Sequence, residues 1–384
     1  MSPGPRIYAD YNATAPLRPE AREAVLRVLE GVGNASSVHA EGRRARGLVE
    51  GARETIAAAI GACRDDIAFV SGGTEAVQAP IRGAMAASGT MLVASGIEHD
   101  SVVSLASDVS SWTVRVDGRA DLDWLRSTLD VMAAKGVKPL VSLMLVNNET
   151  GVIQPVAEAA EIVHAAGGLI HCDAIQGLGK TEVSVIELDV DYLSLSAHKI
   201  GGPQGVGAFY VKPGAPFKAV QTGGGQEFGR RAGTENVAGI VGFAAAADAA
   251  LHGLSAYQGL AQHRDRMEQK IRATAPGLQI HGENAPRVAG VSCFGVEGLP
   301  SETQIMGLDL AGFAVSAGSA CSSGKVKPSR VLTAMGLNET AARSAIRASF
   351  GWASDWRDFD ALAEAWIRMA ARARPQLVKA DANV

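Results

Sequence analysis

The sequence predicts an α/β protein with a mostly parallel seven-stranded sheet and a smaller α+β domain. Seven short apolar runs have the length of strands that are buried on both faces. Helical patterns lie between most of these runs, which is the order expected of a parallel sheet. The predicted strands are Ile67–Val70, Met91–Ala94, Val114–Val116, Leu140–Leu145, Leu169–Cys172, Tyr192–Leu195 and Val206–Val211.

The remaining elements follow from helical and alternating patterns in the same way. Three helices are predicted between the strands, at Glu75–Ala87, Leu122–Ala134 and Val156–Ala166. A long helical pattern begins near Asn236. The residues after it show the mixture of helical and strand patterns expected of a second, smaller domain. We expect the large domain to span 15–251 and the small domain to combine 1–14 with 252–384. Elements predicted there are a helix at Ala256–Ala275, strands at Val288–Phe294, Ala314–Val315 and Ile346–Ser349, and a closing helix from Asp355.

Composition narrows the class of function. The 384 residues are 47% hydrophobic and 20% charged, which describes a globular enzyme rather than a disordered chain. The net charge of -4 gives no reason to expect nucleic acid or an anionic membrane as a partner. The N-terminus lacks the apolar stretch of a signal peptide, and no apolar run approaches a membrane span, so we expect a cytoplasmic protein. The four cysteines are too sparse for a disulfide framework.

Polar residues follow the predicted strands, and in an open parallel sheet ligands bind beyond the carboxyl ends of the strands. Ser71-Gly72-Gly73-Thr74-Glu75 opens a helix whose free N–H groups suit a phosphate. Lys199 ends the stretch that begins at Ser196, where burial favours a neutral amine able to form a Schiff base. A lysine that extends from a strand end to solvent is the alternative.

Pyridoxal phosphate needs this combination of residues. The lysine holds the aldehyde of the cofactor, and a buried aspartate such as Asp173 keeps the ring nitrogen protonated. Each residue also has a simpler explanation, since Thr74 could cap a helix, His99 could pack in the core and Asn148 could shape a turn. The ordered set favours the cofactor, because the simpler explanations would all have to hold at once.

Seven segments in order, between about Tyr8 and Gly351, resemble the cysteine desulfurases of the NifS/IscS type. These belong to the class V aminotransferase family of fold type I enzymes, which use pyridoxal phosphate. The segments are Ser71–Glu75, Asn147–Gly151, Asp173–Gln176, Ser196–Lys199, Gly223–Gln226, Arg230–Thr234 and Ser316–Cys321.

The resemblance implies a role for each matching residue at the cofactor. Lys199 would bind pyridoxal phosphate covalently, His99 would stack on its ring and serve in proton transfer, and Asp173 would pair with the ring nitrogen. Gln176 and Asn148 would lie near the ring hydroxyl. The phosphate would be bound by the Gly73 N–H, Thr74, Ser196, His198 and, from the second subunit of a homodimer, Thr234.

The resemblance also implies the substrate and the nucleophile. Arg347 would bind the carboxylate of L-cysteine bidentately, with Asn12 and Asn34 as helpers. Cys321 would take the sulfur as a persulfide, release L-alanine and pass the sulfur to an acceptor or scaffold protein. The acceptor could serve iron–sulfur cluster assembly, molybdenum cofactor sulfuration or tRNA thiolation. The small, glycine-flanked neighbours of Cys321 predict an exposed loop. Cys63, Cys172 and Cys293 lie in apolar surroundings and are predicted to be core residues.

Other functions remain open at this stage. A selenocysteine lyase would use the same chemistry, whereas another class V aminotransferase would have no use for Cys321. A non-enzymatic interaction module would need no cofactor. No metal site is predicted, because His171, Cys172 and Asp173 are consecutive strand residues that alternate between faces. The glycines of 201–207 precede a strand where a dinucleotide-binding motif requires a helix.

Overall fold

The computed structural model describes residues 6–106, 112–318 and 328–379. Its strands agree with most of the predicted apolar runs. They are β1 (Ile7–Tyr8), β2 (Ile67–Val70), β3 (Met91–Ala94), β4 (Pro139–Met144), β5 (Leu169–Asp173), β6 (Tyr192–Ser196), β7 (Gly207–Val211), β8 (Leu278–Ile280), β9 (Val291–Val296), β10 (Phe313–Ala314), β11 (Ser316–Ala317) and β12 (Ala345–Ser349).

Helices alternate with these strands through the first part of the chain. They are α1 (Pro19–Leu29), α2 (Ala40–Ala59), α3 (Gly73–Ser88), α4 (Asp100–Val103), α5 (Leu122–Ala134), α6 (Val156–Ala165), α7 (Val185–Leu188), α8 (Val237–His252), α9 (Leu254–Gln258), α10 (Ala261–Thr274), α11 (Ser301–Leu310), α12 (Arg330–Ala334), α13 (Glu339–Arg343) and α14 (Trp356–Ala373).

The central sheet has the strand order β2-β7-β6-β5-β4-β3. Strands β3, β4, β5 and β6 are parallel to one another, whereas β7 is antiparallel to both β6 and β2. Helix α3 packs on one face, and α6 packs against β4 and β5. Successive residues such as Leu140 and Val141 belong to different core clusters, so both faces are covered. The predicted α/β class with a mostly parallel sheet is confirmed.

The sheet has six strands instead of the predicted seven. The predicted strand Val114–Val116 forms no ladder among the residues described, and Val114 makes only a single bridge to Ala120. The Arg115 N–H donates to the Arg119 carbonyl across a turn, and Val116 is 83% exposed. A run of three residues with an exposed valine buries too little apolar surface to add a strand.

A second sheet has the order β11-β12-β9-β8 and is antiparallel. Near it, β1 pairs in parallel with β10, and Asp10 forms a bridge with Ser349 of β12. The N-terminal residues therefore join strands from the C-terminal part of the chain. The exact limits of the two domains stay a prediction.

Two other elements differ from the sequence prediction. The predicted helix Ala256–Ala275 is divided into α9 and α10, with Gly259 at the end of α9. The predicted strand Val288–Phe294 starts later, as β9, because the Val288 N–H donates to the Gly151 carbonyl outside the sheet.

Within the described ranges, no single helix is both long and apolar enough to cross a membrane. One bent pair of helices, Val237–His252 with Leu254–Thr274, has the length and composition of a possible span, and its two parts meet at an angle of 61°. In this fold α8 packs against α1 and α2.

Candidate active site

The parallel direction of β3 to β6 brings the polar residues after these strands to one edge of the sheet. Strand β6 ends at Ser196 and continues into a 3-10 turn, Ala197–Lys199. Lys199 Nζ donates to the main-chain carbonyls of Asn12 at 2.6 Å and Ala13 at 2.8 Å. The half-buried amine is thus held against the N-terminal segment, at the place predicted for the Schiff-base lysine.

Asp173 ends β5 and is 4% exposed. One carboxylate oxygen accepts a hydrogen bond from the Ile175 N–H at 3.0 Å. Burial raises the pKa of Asp173, while this hydrogen bond and the charges of His99 and Lys199 act in the opposite direction. The three predicted cofactor residues therefore lie within electrostatic reach of one another.

His99 caps the short helix α4 after β3. Its Nδ1 accepts a hydrogen bond from the Ser101 N–H at 3.1 Å and lies 2.8 Å from Ser101 Oγ. These two contacts fix the orientation of the ring. The preceding residue, Glu98, is 1% exposed and accepts from the Met144 N–H of β4 at 2.9 Å. Burial raises the pKa of Glu98 well above its usual range.

The predicted phosphate residues surround the N-terminus of α3. Gly72 precedes the helix and supplies no side-chain cap, so the first N–H groups of α3, next to the exposed Thr74, have no N-cap acceptor. Ser196 Oγ is buried and has no hydrogen-bond partner among the residues described. A Cβ at Gly73 would lie 3.4 Å from Ser196 Oγ and 2.9 Å from Ile175 Cδ1. This arrangement fits an anion with several hydrogen-bond acceptors.

His198 lies beside this group and is also predicted to bind phosphate. Its Nδ1 is 3.2 Å from Thr14 Oγ1. Burial, followed by the charges of Lys199 and Lys180, lowers the pKa of His198 to about 4. The ring is therefore neutral at physiological pH, and one nitrogen carries a proton that can be donated to a phosphate oxygen.

Arg347, on β12, is 4% exposed. Its Nη2 lies 2.7 Å from Asp10 Oδ1, and Nη1 donates to the Asn148 carbonyl at 3.0 Å. Its Nε is buried without a hydrogen-bond partner in the described part of the chain. Asn12 Nδ2 donates to the same Asn148 carbonyl at 3.0 Å. The guanidinium is thus oriented on two sides and keeps a donor for an anion.

Gln176 joins the same group of contacts. Its Nε2 donates to the Asn12 carbonyl at 2.9 Å, and Lys180 Nζ donates to its Oε1. Asp10 and Lys180 belong to no motif of the sequence, and only their tertiary contacts identify them. A lysine between Gly179 and Thr181, in a segment that follows a buried strand, was the one available signal for Lys180.

Three predicted residues are not joined to this group by the described contacts. Asn34 is exposed and accepts a hydrogen bond from the Ser36 N–H at 2.9 Å. Thr234 is exposed and lines a surface cavity with Ser71 and Gly205. Cys321 lies outside the described residues. Their roles stay predictions.

A buried carboxyl group beside the site predicts a dependence of stability on pH. Because the pKa of Glu98 is raised in the folded state, its contribution is fully present below the unfolded pKa of about 4.3. The contribution is lost as the pH rises through the folded pKa. Glu98→Gln keeps the shape without a titrating proton, so its free energy of unfolding should fall less between about pH 5 and pH 8 than that of the parent protein.

Urea unfolding at a series of pH values measures this difference. Glu339→Gln is the control, because the Glu339 side chain is 68% exposed and should leave the pH dependence unchanged. Equal pH dependence in the parent protein and Glu98→Gln would contradict a raised pKa of the buried Glu98.

Comparisons with known proteins identify the family of the chain. The family model described as aminotransferase class-V matches residues 7–362. A cysteine desulfurase from Cereibacter sphaeroides is 42% identical over 371 residues, which are 94% of each chain. Cysteine desulfurase IscS from Dictyoglomus turgidum is 38% identical, over 90% of this chain and 89% of its own.

A solved structure leads to the same family. The NifS-like protein from Rickettsia africae superimposes with a TM-score of 0.86 and 31% identity, over 95% of this chain and 99% of its own. The agreement extends across both sheets, so it is not limited to one motif. The chain belongs to the class V aminotransferase family and, within it, to the cysteine desulfurases, which use pyridoxal phosphate.

Proposed function

We propose that this protein removes sulfur from L-cysteine, releases L-alanine and retains the sulfur as a persulfide on Cys321. One observation carries the proposal within the described residues. Lys199 donates to the Asn12 carbonyl, while the Asn12 side chain and Arg347 both donate to the Asn148 carbonyl. These contacts bring Lys199 and Arg347 together at one edge of the central sheet. An amine and an amino-acid carboxylate site beside the buried Asp173 are what this reaction requires.

The residues present fit pyridoxal phosphate, which when bound withdraws electrons from the α-carbon of an amino acid. Three features suit its phosphate: Ser196 Oγ, which has no partner among the described residues, the N-terminus of α3, which has no side-chain cap, and the neutral His198. The acidic partner of its ring nitrogen would be Asp173, whose burial is costly without a cation nearby. Other proposed cofactor ligands are Gly73, Thr74, His99, Asn148, Gln176 and Lys199.

Arg347 binds the substrate carboxylate in this proposal. Asp10 and the Asn148 carbonyl hold two of its nitrogens, which leaves Nε available to the ligand. Asn12 lies against the same carbonyl and helps to define the site, while Asn34 is kept as a second helper on the strength of the family resemblance. A guanidinium oriented before binding loses little entropy when the carboxylate arrives.

Proton transfer and sulfur transfer use different side chains. The Lys199 amine accepts the proton of the α-carbon, and His99 is the candidate for a further proton transfer at the sulfur. The Cys321 thiolate forms a bond to the substrate sulfur while the bond from that sulfur to carbon breaks. The electron pair of the broken bond passes to the substrate carbon, which takes up protons and leaves as L-alanine.

The proposal includes a homodimer in which Thr234 completes the phosphate site of the partner. It is supported by the exposure of Thr234 and of the apolar residues Val220 and Phe228 in the same segment.

The proposed domains remain 15–251 and 1–14 with 252–384. The sulfur acceptor is proposed to serve iron–sulfur cluster assembly, on the support of similarity to a relative named IscS.

The proposed location is the cytoplasm. Cys63, Cys172 and Cys293 are free thiols, as is usual in a reducing compartment. Burial raises the pKa of Cys172 and of Cys293, so both are poor nucleophiles. The prediction that Cys63 is a core residue is wrong, because Cys63 is exposed, so burial does not exclude it as a nucleophile. Cys321 is favoured over Cys63 by the family pattern alone.

Cys321→Ala is expected to abolish the release of L-alanine from L-cysteine and the persulfide, while the bound cofactor keeps its absorbance. The physical reason is that the variant lacks the only atom to which the sulfur is transferred. Alanine analysis and mass spectrometry of the intact protein measure the two losses. Cys63→Ala removes another exposed thiol and should retain both. Alanine release by Cys321→Ala at the parent rate would refute the proposal.

Lys199→Ala is expected to lose the visible absorbance of covalently bound pyridoxal phosphate. Borohydride reduction of the parent enzyme should add the cofactor mass to the peptide that contains Lys199, because reduction makes the Schiff base permanent. Lys212→Ala removes a lysine paired with Asp189 at the surface and serves as the control. A cofactor adduct of unchanged yield in Lys199→Ala would place the attachment elsewhere.

Arg347→Lys is expected to raise KM for L-cysteine by roughly tenfold, with a smaller change in kcat. Lysine preserves the charge but cannot reproduce the fork that reaches Asp10, the Asn148 carbonyl and a carboxylate together. Steady-state kinetics measure both constants. Arg343→Lys, at an ion pair with Glu339, is the matched control. An unchanged KM in Arg347→Lys would remove Arg347 from the substrate site.

A further inference from the structure

Lys180 is a buried lysine whose described hydrogen bonds all go to neutral groups. It lies in the turn after β5 and is 7% exposed. Its Nζ donates to Asn12 Oδ1 at 2.7 Å and also to Gln176 Oε1. A lysine buried without a carboxylate partner is costly, and a methionine of similar length would fill the same space at lower cost. The cost indicates a function.

The lysine determines which way two amide groups face. A lysine head group has no acceptor when charged, so Asn12 and Gln176 must both turn their oxygens towards it. Their nitrogens then face away from Lys180. Gln176 Nε2 donates one proton to the Asn12 carbonyl at 2.9 Å, and Asn12 Nδ2 donates to the Asn148 carbonyl at 3.0 Å. The second Nε2 proton of Gln176 remains available to a ligand.

Both amides contact the residues of the proposed site. The Asn12 carbonyl that accepts from Gln176 also accepts from Lys199 at 2.6 Å. The Asn148 carbonyl that accepts from Asn12 also accepts from Arg347 at 3.0 Å. Lys180 and Lys199 line one small cavity. Lys180 therefore stands directly behind the groups that face cofactor and substrate.

The charged groups around Lys180 are cations. Burial lowers the pKa of Lys180 well below its usual range. The positive charges of Lys199, in the turn after β6, and of Arg347, on β12, lower it further. His198 faces Lys180 as well but is neutral above about pH 4. Asp173 acts on Lys199 from the end of β5. A neutral amine would keep two donors for Asn12 and Gln176 but would also gain an acceptor, so Lys180 selects the orientation of the two amides most strictly when it is charged.

We infer that Lys180 is a positioning residue that holds Gln176 with its N–H towards the ring hydroxyl of the cofactor. The inference rests on the proposed function, in which Gln176 lies at that hydroxyl. Donation of an N–H to the ring oxygen stabilises its deprotonated form. Lys180 thereby lowers the pH at which the visible absorbance of the bound cofactor titrates, and it does so through Gln176.

The test is a pH titration of the visible absorbance of the holoenzyme. In Lys180→Met the Gln176 amide loses the contact that orients it, and the midpoint should rise by about one pH unit, the value of one hydrogen bond to a charged group. In a Gln176→Met background, Lys180→Met should cause no further rise, because the group through which it acts is absent. Lys270→Met removes a lysine that also donates to two side-chain oxygens, on Asp360 and Glu364, and should leave the midpoint unchanged.

Two outcomes would overturn the inference. One is an unchanged or lowered midpoint in Lys180→Met. The other is an equal rise with and without Gln176, which would show a direct effect of Lys180 on the cofactor. If Lys180→Met does not fold, Lys180→Gln replaces it, since an amide offers both donor and acceptor and no longer selects one orientation of Gln176. The midpoint of Lys180→Gln should then rise, and an unchanged midpoint would overturn the inference equally.

Failure of this inference differs from failure of the proposed function. A parent enzyme without the visible absorbance of a Lys199-bound cofactor would contradict the proposed function. A parent enzyme with that absorbance and with alanine release, but with a midpoint insensitive to Lys180, would contradict only the role of Lys180.

Discussion

The site depends on hydrogen bonds that tie the N-terminal segment between the two sheets. The Asn12 carbonyl accepts from Lys199, at the edge of the central sheet, while the Asn12 N–H donates to Ser349 of β12 at 3.0 Å. Two residues earlier, Asp10 pairs with Arg347 on the same strand. This segment connects the Lys199 amine, at the edge of the central sheet, to the Arg347 guanidinium, on the second sheet. Its main-chain groups therefore set the relative position of the proposed cofactor and substrate residues.

Burial acts on the titratable groups of this region in a consistent way. It raises the pKa of the carboxyl groups of Glu98, Glu149 and Asp173, and it lowers the pKa of Lys180 and His198. Each shift favours the neutral form, as a medium of low dielectric requires. Such a concentration of shifted groups costs stability, and proteins retain it chiefly where chemistry uses it.

The sequence predicted the central strands well because each is a short apolar run with polar residues at its end. The α/β class and the cysteine desulfurase family are confirmed. The prediction failed where local pattern and tertiary packing disagree: Val114–Val116 has strand-forming valines but lies outside the sheet, and Ala256–Ala275 is divided at Gly259. For Val114–Val116 the deciding factor is the apolar surface that the run can bury against neighbouring elements, which a local pattern does not contain.

The sequence alone determined the family, and it predicted the types of residue at the proposed site, because Lys199, Asp173 and the glycine-rich loop lie in contiguous motifs. The tertiary structure alone decided the partners of these residues. Lys180 meets Asn12 across 168 positions of sequence, and Asp10 meets Arg347 across 337. The physical reason is that motifs record local backbone requirements, whereas the orientation of an amide or a guanidinium is set by whatever the fold places beside it.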